Sequence, residues 1–186
     1  IEDPDFYTHA GIKPTAILRA LLTNASQGDL LSGQGGSTIT QQVVKLTVLT
    51  ADKTITRKLK EWILALRLEK TLDKETILSL YLNEIPYGGT VYGIEEAAQT
   101  FLGKSSRDLT LAEAAYLAAL PNAPTYYSPY GDHRNKLEER KNLVLRRMKE
   151  VGFITEAEYV AAKKETICAP SATVLKTASA ARLPSR

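Results

Sequence analysis

Residues Gly33–Glu69 read GQGGSTITQQVVKLTVLTADKTITRKLKEWILALRLE, and this stretch decides how the chain is organised. It opens on a glycine run, where the backbone is free of side-chain obstruction, and passes into Ser37-Thr38-Ile39-Thr40-Gln41-Gln42. Ser37 or Thr38 suits a helix N-cap, and Gln41, three residues after Thr38, completes a capping box. Ile39, Val43 and Leu46 fall at i, i+4 and i+7 and predict one apolar face, with Gln42 and Lys45 on another. After a turn at Ala51-Asp52, Ile55, Leu59, Trp62, Ile63 and Leu66 predict a second helix with an inward stripe. Arg57, Lys58 and Glu61 stand off that stripe, a carboxylate among cations beside a glycine-opened loop. Such a grouping suits a phosphorylated substrate.

The flanking sequence continues the helical pattern. Before the central stretch lies a polar opening with an aromatic pair, EDPDFYTHAGI. Pro14 then suits the first turn of a helix, continued by Ile17, Leu18, Leu21, Leu22 and Ala25 and closed by Gln27-Gly28-Asp29. After it, Asp73 caps a helix with Ile77, Leu78, Tyr81 and Leu82 inward. Pro86-Tyr87-Gly88-Gly89 is a turn, and a helix with Ile94, Ala97, Ala98 and Phe101 follows. Thr110-x-x-Glu113 opens an alanine-rich helix that ends before Pro121, and Thr155-x-x-Glu158 opens one over 156–165; a further helix spans about 135–150. Period-2 alternation and internal repeats are both missing, so the expected fold is mostly α.

At 186 residues the chain reads as one domain with a real core. Its 24 Lys+Arg against 21 Asp+Glu leave a formal +3, which makes no case for nucleic acid. A single cysteine, Cys168, rules out an internal disulfide without fixing the compartment. No apolar run approaches the ~18 residues needed to span a bilayer, and no signal peptide is visible. The opening Ile1-Glu2-Asp3, without methionine, reads as that of a fragment of a longer protein, and any anchor is expected outside it. Thr166–Arg186 is rich in Ala, Ser, Thr and Pro and reads as a linker or an added tail. His9 and His133 have no companion at zinc spacing, and no structural metal is expected.

Five stretches, in this order, carry a resemblance. They are Glu2-Asp3-x-x-Phe6-Tyr7 with Gly11-Ile12; Gly35-Gly36-Ser37-Thr38-Ile39-Thr40-Gln41-Gln42 with Lys45; and Arg57-Lys58-x-x-Glu61 running to Leu68-Glu69-Lys70. Tyr81-Leu82-Asn83-Glu84 with Tyr87-Gly88-Gly89-x-x-Tyr92-Gly93-Ile94 is the fourth. Leu111-Ala112-Glu113-Ala114-Ala115 with Leu120-Pro121-x-Ala123-Pro124 and Tyr127-Ser128-Pro129 is the fifth. Together they resemble the peptidoglycan glycosyltransferases, the transglycosylase domain of penicillin-binding proteins (glycosyltransferase family 51). Leu46 departs from the pattern where many members carry asparagine, and Pro4-Asp5 where basic residues are common.

The resemblance implies a lysozyme-like helical lobe with a smaller, membrane-proximal hydrophobic lobe, over residues 1–165. It implies polymerisation of lipid II into β-1,4-linked glycan strands, with undecaprenyl diphosphate displaced, on the extracytoplasmic face of the bacterial membrane. A C-terminal transpeptidase domain in the parent protein and inhibition by moenomycin-type phosphoglycolipids are implied as well. No cofactor is required, although a divalent cation at the diphosphate is compatible with the family.

The same resemblance distributes the roles. Glu2 matches the catalytic base for the acceptor 4-hydroxyl; on residue type alone it is an exposed terminal carboxylate. Asp3, beside it in the substrate region, orients the turn. Glu61 matches the second glutamate, assisting departure of the diphosphate or holding Lys58; on residue type alone it is a surface ion pair worth about 0.3–0.5 kcal/mol. Gln42, Lys45, Arg57 and Lys58 clamp the phosphates, and Ser37 and Thr38 offer hydroxyl or helix N-terminal amide contacts. Tyr87, Gly88, Gly89 and Tyr92 serve equally as a sugar-stacking wall or as a structural turn. Val43–Leu49 is either core or a segment that dips into lipid.

Two other functions fit a helical chain of this kind. A lysozyme-like glycan-cleaving enzyme is also built around one glutamate, but Lys45, Arg57 and Lys58 speak against it, because a neutral glycosidic bond needs no diphosphate clamp. A non-catalytic module that binds membranes or partner proteins would bind lipid without Glu2 and turn nothing over.

Overall fold

The computed structural model describes residues 1–15, 37–47 and 55–167, the side chain of Ile55 excepted. Several expectations lie outside those residues: the helix over Ile17–Ala25, the glycines before Ser37, Val48 and Leu49, the turn at Ala51-Asp52, Cys168 and the tail beyond it. Seven α-helices and one two-stranded hairpin make up the regular structure among the described residues, so the chain is mostly helical. It forms two compact units, Ile1–Ile85 and Pro86–Arg186. They divide at the turn read from Pro86 onward.

The first unit begins with a turn-rich loop over residues 4–11 and contains α1 (Ile39–Thr47), α2 (Ile55–Thr71) and α3 (Lys74–Glu84). α1 packs against both α2 and α3. The capping box read at Thr38 and Gln41 forms at the start of α1. The Thr38 Oγ1 accepts from the Gln41 amide at 3.2 Å, and the Gln41 Oε1 accepts from the Thr38 amide at 2.9 Å. Asp73 caps α3 by accepting from the Thr76 amide. Phe6, Ile39, Val43, Val44, Ala65, Ile77, Tyr81 and Ile85 form the apolar core of this unit.

Two stripes differ from expectation. On α1 the buried face is Ile39, Val43 and Val44, while Leu46 is turned to solvent. On α2 the difference is larger. Leu59, Ile63 and Leu66, expected inward, are 48%, 53% and 37% exposed, whereas Glu61 and Ala65 are buried. The reason is how closely the N-terminal loop approaches. A Cβ at Gly11, which has φ +87°, would stand 2.9 Å from the Ala65 carbonyl oxygen. Only a face of small residues admits backbone at that distance, and the polar start of α1 supplies partners for Glu61 on the same face. Periodicity counts apolar side chains; here size and hydrogen bonding chose the other face.

The second unit opens with an antiparallel hairpin, β1 (Pro86–Gly88) and β2 (Val91–Tyr92), in which Pro86 faces Tyr92 and Gly88 faces Val91. Gly88 and Gly89 both have positive φ, as the tight turn requires. Then follow α4 (Ile94–Leu102), a 3-10 turn (Ser106–Asp108), α5 (Leu111–Ala119), α6 (Arg134–Glu150) and α7 (Glu156–Lys164). α6 packs along α5, and α7 packs on α6. Alanines 97, 98, 112, 115 and 119 allow these close approaches, and Phe101, Leu117, Leu120, Leu137 and Leu145 fill the core between them. Both remaining capping boxes, Thr110 with Glu113 and Thr155 with Glu158, form in full. Tyr87 is only 2% exposed, so it serves the structural turn and presents no ring to a sugar. Burial pushes its phenol pKa upward.

Candidate active site

The first unit gathers the chemistry. Asp3, 8% exposed, is the node of the N-terminal loop. Its Oδ2 accepts from the Ile39 amide at 3.0 Å and lies 2.8 Å from the His9 Nε2; its Oδ1 pairs with the Lys13 ammonium at 2.6 Å. The His9 Nδ1 accepts from the Gly11 amide at 3.0 Å, and the Gly11 carbonyl accepts from the Thr38 Oγ1 at 2.6 Å. A closed circuit of hydrogen bonds thus ties the loop to the first turn of α1. Burial alone would raise the Asp3 pKa, but Lys13, His9 and the Ile39 amide outweigh it and hold the carboxyl below its ordinary value. Glu2, half-buried, stands immediately before this anchored residue.

Between α1 and α2 lies a second constellation. Glu61 is 2% exposed, and its Oε1 accepts from the Gln41 Nε2 at 3.2 Å and pairs with the Lys58 ammonium one turn earlier on α2. Lys58 also donates to the Ser37 Oγ at 2.9 Å. The Lys58 side chain keeps 29% of its surface open while that of Glu61 keeps 2%. The carboxylate is sealed, and the lysine that pairs with it is partly open to solvent.

Glu69 and Lys74 make a third contact set. The Glu69 Oε1 accepts from the Thr40 Oγ1 at 2.5 Å and from the Lys74 Nζ at 2.7 Å. Lys74 further donates to the His9 carbonyl at 2.7 Å and lies 4.5 Å from the centre of the Phe6 ring.

These contacts revise several expected roles. Ser37, Lys58 and Glu61 come into direct contact, and Glu61 is a buried partner rather than a surface one. Gln42 and Arg57 are half-buried and Lys45 exposed on the same two helices. Thr38 is placed differently from the expected anion contact: its hydroxyl donates to Gly11 and accepts from Gln41, and its amide is taken by Gln41. The Ile39 amide is taken by Asp3. Asp3 is likewise engaged on both oxygens, by the Ile39 amide and His9 on one and by Lys13 on the other. Val43 and Val44 are core, which removes them from any lipid-facing segment. Gln41, Glu69 and Lys74 were not read as site residues. Gln41 and Glu69 lie inside quoted motifs, but the 65-position separation of His9 and Lys74 leaves no local signal.

The family described as Transglycosylase matches residues 1–149. The chain belongs to that transglycosylase family. It is similar to penicillin-binding protein 1A of Aquifex aeolicus, with 49% identity over 158 residues, 85% of this chain and 21% of that one. Penicillin-binding protein 1A of Haemophilus influenzae is 48% identical over 168 residues, 90% of this chain and 19% of its own length. A 2.6 Å crystal structure of the Haemophilus influenzae protein superposes with a TM-score of 0.50 at 39% identity, covering 62% of this chain and 18% of that one. The transglycosylase chain therefore spans about a fifth of the length of these relatives. It is a peptidoglycan glycosyltransferase domain of the kind found in penicillin-binding proteins. Among its described residues no helix is long and apolar enough to cross a membrane.

Proposed function

We propose that this domain polymerises lipid II into β-1,4-linked glycan by a single inverting displacement. The acceptor 4-hydroxyl attacks the anomeric carbon of the donor sugar while the bond from that carbon to the diphosphate oxygen breaks. Glu2 takes the hydroxyl proton, and the bonding electrons leave with undecaprenyl diphosphate. An α-linked donor and a β-linked product require one inversion, with no covalent enzyme intermediate. A general base of this kind contributes typically about 10²–10⁴-fold. Lys58, steadied by Glu61, joins Gln42, Lys45 and Arg57 in neutralising the charge that builds on the leaving diphosphate.

The observation that carries this reading is the sealed Glu61 beneath the partly open Lys58 at the start of α1. A carboxylate spent on holding a cation serves to fix that cation for an anionic ligand. Asp3, Glu61 and Glu69 are each paired with a lysine. Leu46, Leu59, Ile63 and Leu66 form the exposed apolar side of α1 and α2, and we assign them to the membrane surface from which a lipid-linked substrate is drawn. The site of action is then the extracytoplasmic face, in a parent protein that also carries a transpeptidase domain. Moenomycin-type inhibitors, which combine lipid, phosphate and sugar, compete at the same cations.

The deciding assay incubates the chain in detergent with lipid II and, separately, with purified cell-wall glycan. Polymer from lipid II and unchanged glycan is the expected result. Shortened glycan with lipid II untouched would replace this reading with a hydrolytic one.

A further inference from the structure

We propose that Lys74 is a positioning residue, setting the loop that carries Glu2 against α1 through its contacts with His9, Phe6 and Glu69. The inference rests on the function proposed above and adds a residue to it. Lys74 is the first residue of α3, and its side chain is 18% exposed. Its ammonium donates to the His9 carbonyl and to the Glu69 carboxylate, both at 2.7 Å, and sits 4.5 Å from the Phe6 ring centre. Three N–H groups therefore meet a carbonyl, a carboxylate and an aromatic face. Phe6 and His9 belong to the N-terminal loop, Glu69 to α2, and the Thr40 donating to Glu69 to α1. One ion pair thus connects every described element of the unit.

What it grips is the segment next to the base. His9 is held on two sides, its ring by Asp3 and its carbonyl by Lys74. Asp3 in turn holds the Ile39 amide, and Glu2 precedes Asp3. If Lys74 lets go, the loop loses its fixed place over α2 and α1, and the turns closed by the Phe6 and Gly11 amides open more often. A misplacement of about 1 Å in a reacting group reduces rate by about 10²-fold, whereas the cations that bind the diphosphate stand on α1 and α2 and stay where they are. Loss of Lys74 should therefore act on kcat more than on KM.

The test uses the 186-residue chain in detergent and compares Lys74→Met, Lys74→Gln and Lys74→Arg. Arginine can still reach a carboxylate, a carbonyl and an aromatic face together; glutamine keeps an uncharged amide donor group, and serves if the methionine variant does not fold. Expected are a fall in kcat of about 10–100-fold for Met and Gln with KM for lipid II within about threefold, and recovery to within about threefold of wild type for Arg. Hydrogen exchange supplies a readout free of turnover. The Phe6, Gly11 and Ile39 amides, which bond within the clamp, should exchange faster in Met and Gln, while the Ala114 amide at the start of α5 should not change. Unaltered exchange at those three amides, equal losses in Arg and Met, or a change confined to KM would each overturn the proposal. A wild-type chain inactive on lipid II would instead overturn the functional reading, with exchange alone deciding the clamp.

Discussion

Glu61→Gln and Glu2→Gln, taken as a pair, separate structure from chemistry. Glu61 is 2% exposed and pairs with a Lys58 side chain that is 29% exposed. Removing one partner of a fully buried pair costs about 3–5 kcal/mol. Lys58 can turn partly to water and the amide can still meet Gln41, so the loss should be nearer ~2 kcal/mol. For a chain of this size that lowers Tm by about 4–8 °C. The freed ammonium also loses its fixed place, so lipid II binding should weaken along with the rate. Glu2→Gln should leave Tm within about 2 °C, preserve lipid II binding, and lower the initial rate by about 10²–10⁴-fold. The measurements are thermal unfolding, lipid II binding and initial rate on both variants. If Glu2→Gln keeps more than about a tenth of the rate, the base is elsewhere; if Glu61→Gln melts like wild type, the buried pair does not hold Lys58 as described.

Other expectations follow from single observations. Gly11→Ala meets both a positive φ and a Cβ 2.9 Å from the Ala65 oxygen and the Glu69 Cγ; it should lose about 1–3 kcal/mol by denaturant unfolding, and a neutral result would mean that the loop does not lie on α2. The Asp3 carboxyl is depressed from its ordinary 3.8 in the folded chain, so its contribution is present above that pH and lost as pH falls through the folded value. Tm should therefore drop more steeply below about pH 4 in wild type than in Asp3→Asn, and parallel curves would remove Asp3 from the acid response. Lys13 is raised from its ordinary 10.5, so its share is lost as pH rises through its folded value. Leu59→Lys with Ile63→Lys should leave stability within about ±0.5 kcal/mol per site but reduce partition into neutral liposomes; undiminished partition there would place the lipid contact elsewhere.

Local signals were readable wherever a short segment satisfies itself. The capping boxes at Thr38, Thr110 and Thr155 form from residues three apart, the Asp73 cap likewise, and of the Ile94, Ala97, Ala98, Phe101 stripe the last three are buried and Ile94 half-buried. The ordered motifs point to the family by themselves, because such motifs record which side chains a reaction needs.

Tertiary structure alone decided which face of α2 is inside. By composition the Leu59, Ile63, Leu66 stripe outbids Glu61 and Ala65, yet backbone approach at Gly11 and the polar start of α1 reverse the choice. It also decided that Asp3 and Thr38 are spent on the protein itself, and that Lys74 reaches back 65 residues to the His9 carbonyl. Those outcomes depend on which atoms lie within about 3 Å once three helices and a loop are packed, and distance between segments far apart in the chain is not written in either segment.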